Sequence, residues 1–302
     1  MEIIATVDSL AQAEQLLEAG VDRLYVGQSP FGLRLPRSFS LEEISEMTSM
    51  AHQAGKKITV ALNGLMHNKE IKQLPPFLEA LDEIGVDAFT CGDPGTMLLV
   101  EEYAAHIPFI YDAQTFVTSS EQIKFWETHG AVGAVLAREL TSGEIADIQS
   151  HLTIPVEVLV YGPTCIHHSK RKLVTNYEHI VKIEEDTSLA RGLFLREPND
   201  ENSQLPIYED ETGTHIFSTE DISLMPFLEE LYQNGIKCWK LDGILCETSN
   251  FVQIAKLFVE AKAAIEAGSY VATYFENKLA ALQKPSRQLA PGFYTKDPNE
   301  VK

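Results

Sequence analysis

Ala19-Gly20-Val21-Asp22-Arg23-Leu24-Tyr25-Val26 is the stretch that decides the fold. The same phrase returns at 84–91 (IGVDAFTC), 129–136 (HGAVGAVL) and 234–241 (NGIKCWKL). Each copy is a helix end, a Gly and a short apolar strand. Gly tolerates the left-handed backbone that stops a helix, and a short loop then feeds the strand.

Working outward, the segments between the phrases carry helical periodicity. Ser9 precedes Leu10, Ala13, Leu16 and Leu17 on one face, the pattern of a capped amphipathic helix. Ser40 precedes a second helix, with Glu43 at capping-box spacing. Further helices are predicted at 71–84, 94–105, 119–129, 142–152, 225–234 and 250–267. Strands are predicted at 2–6, 23–26, 57–62, 88–91, 109–111, 134–137, 156–160 and 238–241. Eight short buried strands alternating with helices imply a parallel sheet. At this length the pattern fits a closed (β/α)8 TIM-type barrel over residues 1–268. A doubly wound open sheet is the alternative, but Thr6-Val7-Asp8-Ser9 offers no Gly-rich phosphate loop after the first strand.

Two segments depart from the repeat. A long insertion, about 162–224, separates the seventh strand from its helix, where most such loops run a few residues. It reads as a lid or subdomain at the catalytic face. Its middle, 196–213, is rich in Asp, Glu, Asn and Pro and reads as partly mobile. A C-terminal extension, 269–302, begins helical at 274–282 and is expected to wrap the barrel or meet a partner.

Composition narrows the function classes. Forty-four acidic and 24 basic side chains give a net charge of −20. Nucleic-acid affinity comes largely from Lys and Arg neutralising phosphates, so the chain is expected to grip RNA weakly or through a partner. Lys170-Arg171-Lys172 is a local basic edge. No apolar run approaches the ~18 residues that a membrane span needs. The first residues lack a basic, apolar leader, and the four Cys (91, 165, 238, 246) lack disulfide-like spacing. A cytoplasmic setting is expected.

Function in this fold gathers at strand ends. Those positions supply Arg34, Asn63, His67, Gln114, Arg138 and Asp242 as substrate-binding candidates. Two Arg at a barrel mouth suit a small carboxylate ligand, because a guanidinium pairs both oxygens. Internal salt bridges, such as Arg138 with Glu157, are the alternative. The seventh strand then delivers Cys165, His167 and His168. A metal site needs three or four converging ligands, and a Cys–His nucleophile needs an orienting group; a purely structural loop is the third option. Signatures such as H-E-x-x-H, G-x-S-x-G and the Walker loop are missing.

The stretch from Glu157, E-V-L-V-Y-G-P-T-C-I-H-H-S, resembles the signature of peptidase family U32, the collagenase-like proteases. Glu157, Gly162, Cys165 and Ser169 stand at the signature's spacing. Phe31-Gly32-Leu33-Arg34, Asn63 to Asn68, Leu136 to Leu140 and Pro291 to Tyr294 also resemble family segments. The resemblance implies a barrel, a bacterial cytoplasmic protein and catalytic candidates Glu157, Tyr161, Cys165 and His167. Family relatives act in prephenate-dependent hydroxylation of tRNA wobble uridine and carry an iron–sulfur cluster on Cys. Here Lys172, Phe194 and Ser223 stand about where those relatives place further Cys, and Gly243-Ile244 replaces a Gly-Arg. Such a cluster normally needs four thiolates. The chain is therefore identified as a short, cluster-free paralogue, with no metal or cofactor of its own. Cys165 reads as the remnant of a cluster site. The expected partner is a cluster-bearing paralogue. A collagenase-like peptidase and a non-catalytic binding barrel are the alternatives.

Overall fold

The strands that the repeating phrase feeds alternate with the other barrel strands, and neighbours pair in parallel. The computed structural model describes residues 1–297. In order, the elements are β1 (Glu2–Thr6), α1 (Leu10–Glu18), β2 (Arg23–Gly27), α2 (Leu41–Gln53), β3 (Lys57–Leu62), α3 (Asn68–Ile71), α4 (Leu74–Ile84), β4 (Ala88–Cys91), α5 (Pro94–Tyr103), β5 (Phe109–Tyr111), α6 (Ser120–Thr128), β6 (Ala131–Val135) and α7 (Ser142–Ser150). There follow β7 (Val156–Ser169), α8 (Leu173–Val181), β8 (Leu193–Glu197), β9 (Asp200–Asp210), β10 (Gly213–Ser223), α9 (Leu228–Gln233), β11 (Cys238–Leu241), α10 (Thr248–Glu266), α11 (Ala272–Leu282) and β12 (Leu289–Ala290).

Strands β1 to β7 are neighbours in sequence order, and β11 pairs with both β1 and β7. That closes a parallel barrel, as the alternation of strand and helix predicts. Local signals place most elements. The Ser40–Glu43 capping box forms at α2, and Gly85 (φ 77°) ends α4. The helix predicted at 71–84 is split. Pro75 and Pro76 lack the N–H groups a helix interior needs, so α4 restarts with them in its first turn. The sixth strand starts directly after Gly130 (φ 93°), earlier than the predicted 134.

The main core lies between barrel and helices, with Trp239, Phe89, Phe251 and Phe258 almost fully buried. A smaller cluster of Ile4, Tyr25 and Ala61 fills the barrel interior. No described helix is long and apolar enough to cross a membrane.

The insertion differs from expectation. Strand β7 does not stop near 160 but runs to Ser169, where it pairs antiparallel with β10; β9 and β8 continue the sheet. The acidic stretch 196–213, expected to be partly mobile, is largely the β8–β9–β10 ribbon. Ile207, Tyr208 and Glu209, consecutive in β9, are all buried. Glu209 of β9 holds the start of α8, accepting from Val174 N (2.7 Å), Thr175 N (3.2 Å) and both Thr175 and Thr214 hydroxyls. The tail wraps back onto this region. Strand β12 pairs with β10, Arg287 donates to Asp221 (2.6 Å), and Ser142 N donates to Tyr294 O (2.9 Å). Residues 298–302 of the predicted extension lie outside the described part.

Gly162 sits where β7 leaves the barrel. Its φ is 128°, and a Cβ there would lie 2.4 Å from the Asp242 carbonyl. Gly162→Ala is expected to destabilise the fold by about 2 kcal/mol or more, measured by urea denaturation. Glu209 gives a pH prediction. Burial raises its pKa, but the hydroxyl and amide donors outweigh burial and hold it below the usual 4.5. Its contribution is therefore complete above the unfolded-state pKa and disappears as the pH falls through the lower folded value. Hydrogen exchange should show Val174 and Thr175 losing protection in acid before the barrel strands do.

Candidate functional site

The carboxyl ends of the strands enclose a cavity of about 760 Å³, ample for a small metabolite. All six predicted substrate-binding residues line it: Arg34, Asn63, His67, Gln114, Arg138 and Asp242. Cys165 and His167 line it as well. They come from six loops and strand ends, which only barrel closure brings together.

Two catalytic candidates lie elsewhere. Tyr161 turns away from the cavity; its hydroxyl donates to Gln283 (2.8 Å), and its ring packs near Phe258. The cause is a register slip. Leu159 pairs with Lys240, but Tyr161 pairs with Leu241, so Val160 is an extra residue. Such a bulge inverts which face later side chains occupy. Glu157 points into the barrel but lies below the cavity. It is buried, with Lys240 Nζ 3.4 Å from its Oε1. Oε1 makes no hydrogen bond, so the attraction is Coulombic and not a directed bond. The Arg138–Glu157 pair considered from sequence does not form. Arg138 instead lies 3.4 Å from Asp242 and donates to Pro163 O at 2.5 Å.

A polar network forms the floor. Asn63 donates to Tyr25 Oη (3.1 Å) and Asp112 Oδ2 (2.7 Å), and accepts from Leu33 N (2.9 Å). Gln114 donates to Asp112 Oδ1 at 2.8 Å. Asn63 is thus a brace that positions the Arg34 loop, with little capacity left for a ligand. The Lys240 ammonium lies 3.1 Å from the centre of the Tyr25 ring. Burial works against its charge, but the neighbouring acidic groups, Glu157, Asp112 and Asp242 among them, overrule burial and raise its pKa. Burial pushes the Tyr25 phenol up to about 12, so it stays neutral.

Arg34 is different. It makes no hydrogen bond or ion pair with the described residues. Its backbone is left-handed (φ 51°), as is that of Gln114 (φ 58°). Such strain, about 1–3 kcal/mol per residue, gathers at functional sites.

The insertion adds residues that sequence reading missed. Strands β7 and β10 pair His168 with His215 and His167 with Ile216, yet Cys165 with Phe217, leaving Ile166 bulged out. The extra residue rotates Cys165 onto the face that carries His168, His215 and Phe217. His168 and His215 stack at 4.6 Å, and Tyr208 stacks on His215 at 4.8 Å. The imidazoles on the face of Cys165 are therefore His215 and His168, while His167 is exposed on the other face. No local signal marked His215, because β10 reaches β7 only through the ribbon. Lys240 left a weak trace, a charge inside the apolar strand Cys238–Leu241.

The other three thiols stand apart from Cys165 in the fold. Cys91 is buried in the outer core, Cys238 lies 3.8 Å from Glu2 at the opening of β11, and Cys246 sits beside Tyr161. Lys172, Phe194 and Ser223 supply no thiolate. Among the described residues no three His, Cys, Asp or Glu side chains converge on a metal position.

These features define a closed parallel barrel with a ligand-sized cavity roofed by a β-ribbon. The sequence matches peptidase family U32 over residues 8–302, and the chain belongs to that family. It is 33% identical to tRNA hydroxylation protein P2 of Bacillus subtilis (strain 168), across 98% of each chain. It is 25% identical to tRNA hydroxylation protein P of Escherichia coli (strain K12), covering 88% of this chain and 68% of that one. Bacillus subtilis also has tRNA hydroxylation protein P1, 25% identical over 80% of this chain and 58% of the other.

The buried pair beneath the cavity is testable. Lys240→Met leaves the Glu157 charge uncompensated and should cost about 3–5 kcal/mol, measured by urea denaturation. Adding Glu157→Gln should recover part of that loss; no recovery would show that the pair is not coupled.

Proposed function

We propose that this protein is a cytoplasmic component of prephenate-dependent tRNA wobble-uridine hydroxylation. The observation that carries the reading is the family match, with similarity to a P2 protein running the full length of both chains. The site supports it. An unengaged Arg34 faces a cavity in which Arg138 and Lys240 add positive charge, suiting a small dicarboxylate such as prephenate.

The division of labour follows from charge and donors. A net charge of −20 opposes tRNA at long range, and the thiols present do not suit an iron–sulfur cluster. A cluster-bearing paralogue supplies both the cluster and most RNA contact. The presence of P1 and P2 in one bacterium fits such pairing. Helix α8 presents Ile180 (79% exposed) and Tyr177 (61% exposed), with Phe194 of β8 also exposed. An apolar helix face of this kind suits a groove on a protein partner. Exposed Arg171 and Lys172 leave a small basic edge for phosphate.

Deleting the gene, together with any redundant paralogue, should lower 5-hydroxyuridine-type modification in tRNA mass spectrometry. Complementation with Arg34→Gln should restore at most about a tenth of the wild-type level. Unchanged modification in the deletion strain would refute the reading. Ile180→Asp should reduce co-purification of the paralogue without lowering the melting temperature.

A further inference from the structure

Beside the cavity stands a group of side chains that neither ligand binding nor the barrel's stability calls for. His215 is fully buried. Its Nε2–H donates to Asp210 Oδ1 at 3.1 Å. Asp210 is in turn fixed by Thr212, which donates from its N (2.7 Å) and its hydroxyl (2.6 Å). With Nε2 engaged, Nδ1 is the nitrogen left for the thiol, and it is buried without a hydrogen bond. The Tyr208 hydroxyl beside it is buried and unpartnered too. Each orphan of this kind costs about 1–3 kcal/mol.

The bulge at Ile166 turns Cys165 toward this imidazole while leaving it on the cavity wall. In the resting geometry the thiol donates to His167 O at 3.2 Å, so its relation to His215 is electrostatic and not yet an aligned bond. Burial opposes ionisation of the thiol, but His215, Arg34 and Arg138 outweigh it and lower its pKa. His215 moves the other way. Burial disfavours its charge, and Asp210 and Cys165 restore it above the usual value. His168, stacked on His215, is pushed down to about 4 by burial and by His215, and stays neutral. A mere structural remnant needs no aspartate-braced imidazole.

We propose that Cys165 is a nucleophilic thiol open to the cavity, with His215 as its base and Asp210 as the residue that positions His215, and that it takes carbon electrophiles bearing a carboxylate. The thiol proton passes to His215 Nδ1. The thiolate then attacks carbon, a C–S bond forms, and the leaving group departs with its electron pair. Arg34 and Arg138 favour a carboxylate on the electrophile. The inference goes beyond the tRNA role, and its test uses no tRNA, so either idea can fail alone.

The probes are iodoacetate and its neutral analogue iodoacetamide, with the alkylated Cys identified by peptide mass spectrometry. Near pH 7, Cys165 should react at least about tenfold faster than Cys246 or free glutathione, because more of it is thiolate. Its rate should persist at pH values where an ordinary thiol has become unreactive. His215→Gln should slow it about tenfold and move the pH midpoint upward, with Asp210→Asn in between. Iodoacetate should be favoured over iodoacetamide at Cys165 relative to glutathione, and Arg34→Gln should remove that preference. A Cys165 rate no greater than that of glutathione, with an ordinary thiol pH profile, would overturn the proposal. That measurement needs only the wild-type protein, so a variant that fails to fold does not shield the idea. An unchanged rate in folded His215→Gln would overturn it equally.

Discussion

Strand β7 belongs to two pairings at once, and the rest of the structure hangs on that double membership. Its first half runs parallel to β6 and β11 and closes the barrel. Its second half runs antiparallel to β10 and starts the ribbon. Two bulges divide the work. The slip at Val160 turns Tyr161 out to the helices, and the slip at Ile166 turns Cys165 in toward His215. Gly162 lies between them, at a backbone angle and closeness to Asp242 that a side chain would not tolerate. A barrel strand thus becomes a ribbon strand within one continuous element, and the ribbon's position over the cavity is set by the barrel itself.

Charge is arranged in layers around this strand. At the base of the cavity Lys240, which lines it, faces the deeper Glu157, with the Tyr25 ring on the ammonium. At cavity level, Asp112 and Asp242 are held by Asn63, Gln114 and Arg138. At the mouth, Arg34 is unengaged. The carboxylates of the site are therefore partnered locally, and the cavity retains a cation for an incoming anion. The lid is tied to this arrangement from both sides. Glu209 caps α8 from the ribbon, and Lys170 reaches Glu70 at 3.4 Å across the cavity's edge.

How much of this was legible differs by element. The phrase at 19–26 and its echoes announced the barrel, because a helix stop and a buried strand are local requirements with local signals. Arg34, Asn63, His67, Gln114, Arg138 and Asp242 were legible once the strand ends were known, since a parallel barrel sends all of them to one face. Glu157 and Tyr161 looked alike at a spacing of four residues, and a single bulge separated their fates. The strands of the ribbon left no signal because they are acidic and short of apolar alternation. His215 was invisible for the same reason.

Sequence alone determined that eight strands alternate with helices, that the chain is acidic, and that Cys165 follows the seventh barrel strand. These follow from periodicity, composition and the few residues that permit a sharp turn. Tertiary structure decided which imidazole meets Cys165, which cation pairs with Glu157 and which Arg remains unengaged. Those outcomes depend on strand register, and one inserted residue reverses the face of every side chain beyond it. No count of residues along the chain reveals where such an insertion is absorbed; only the partner strand does.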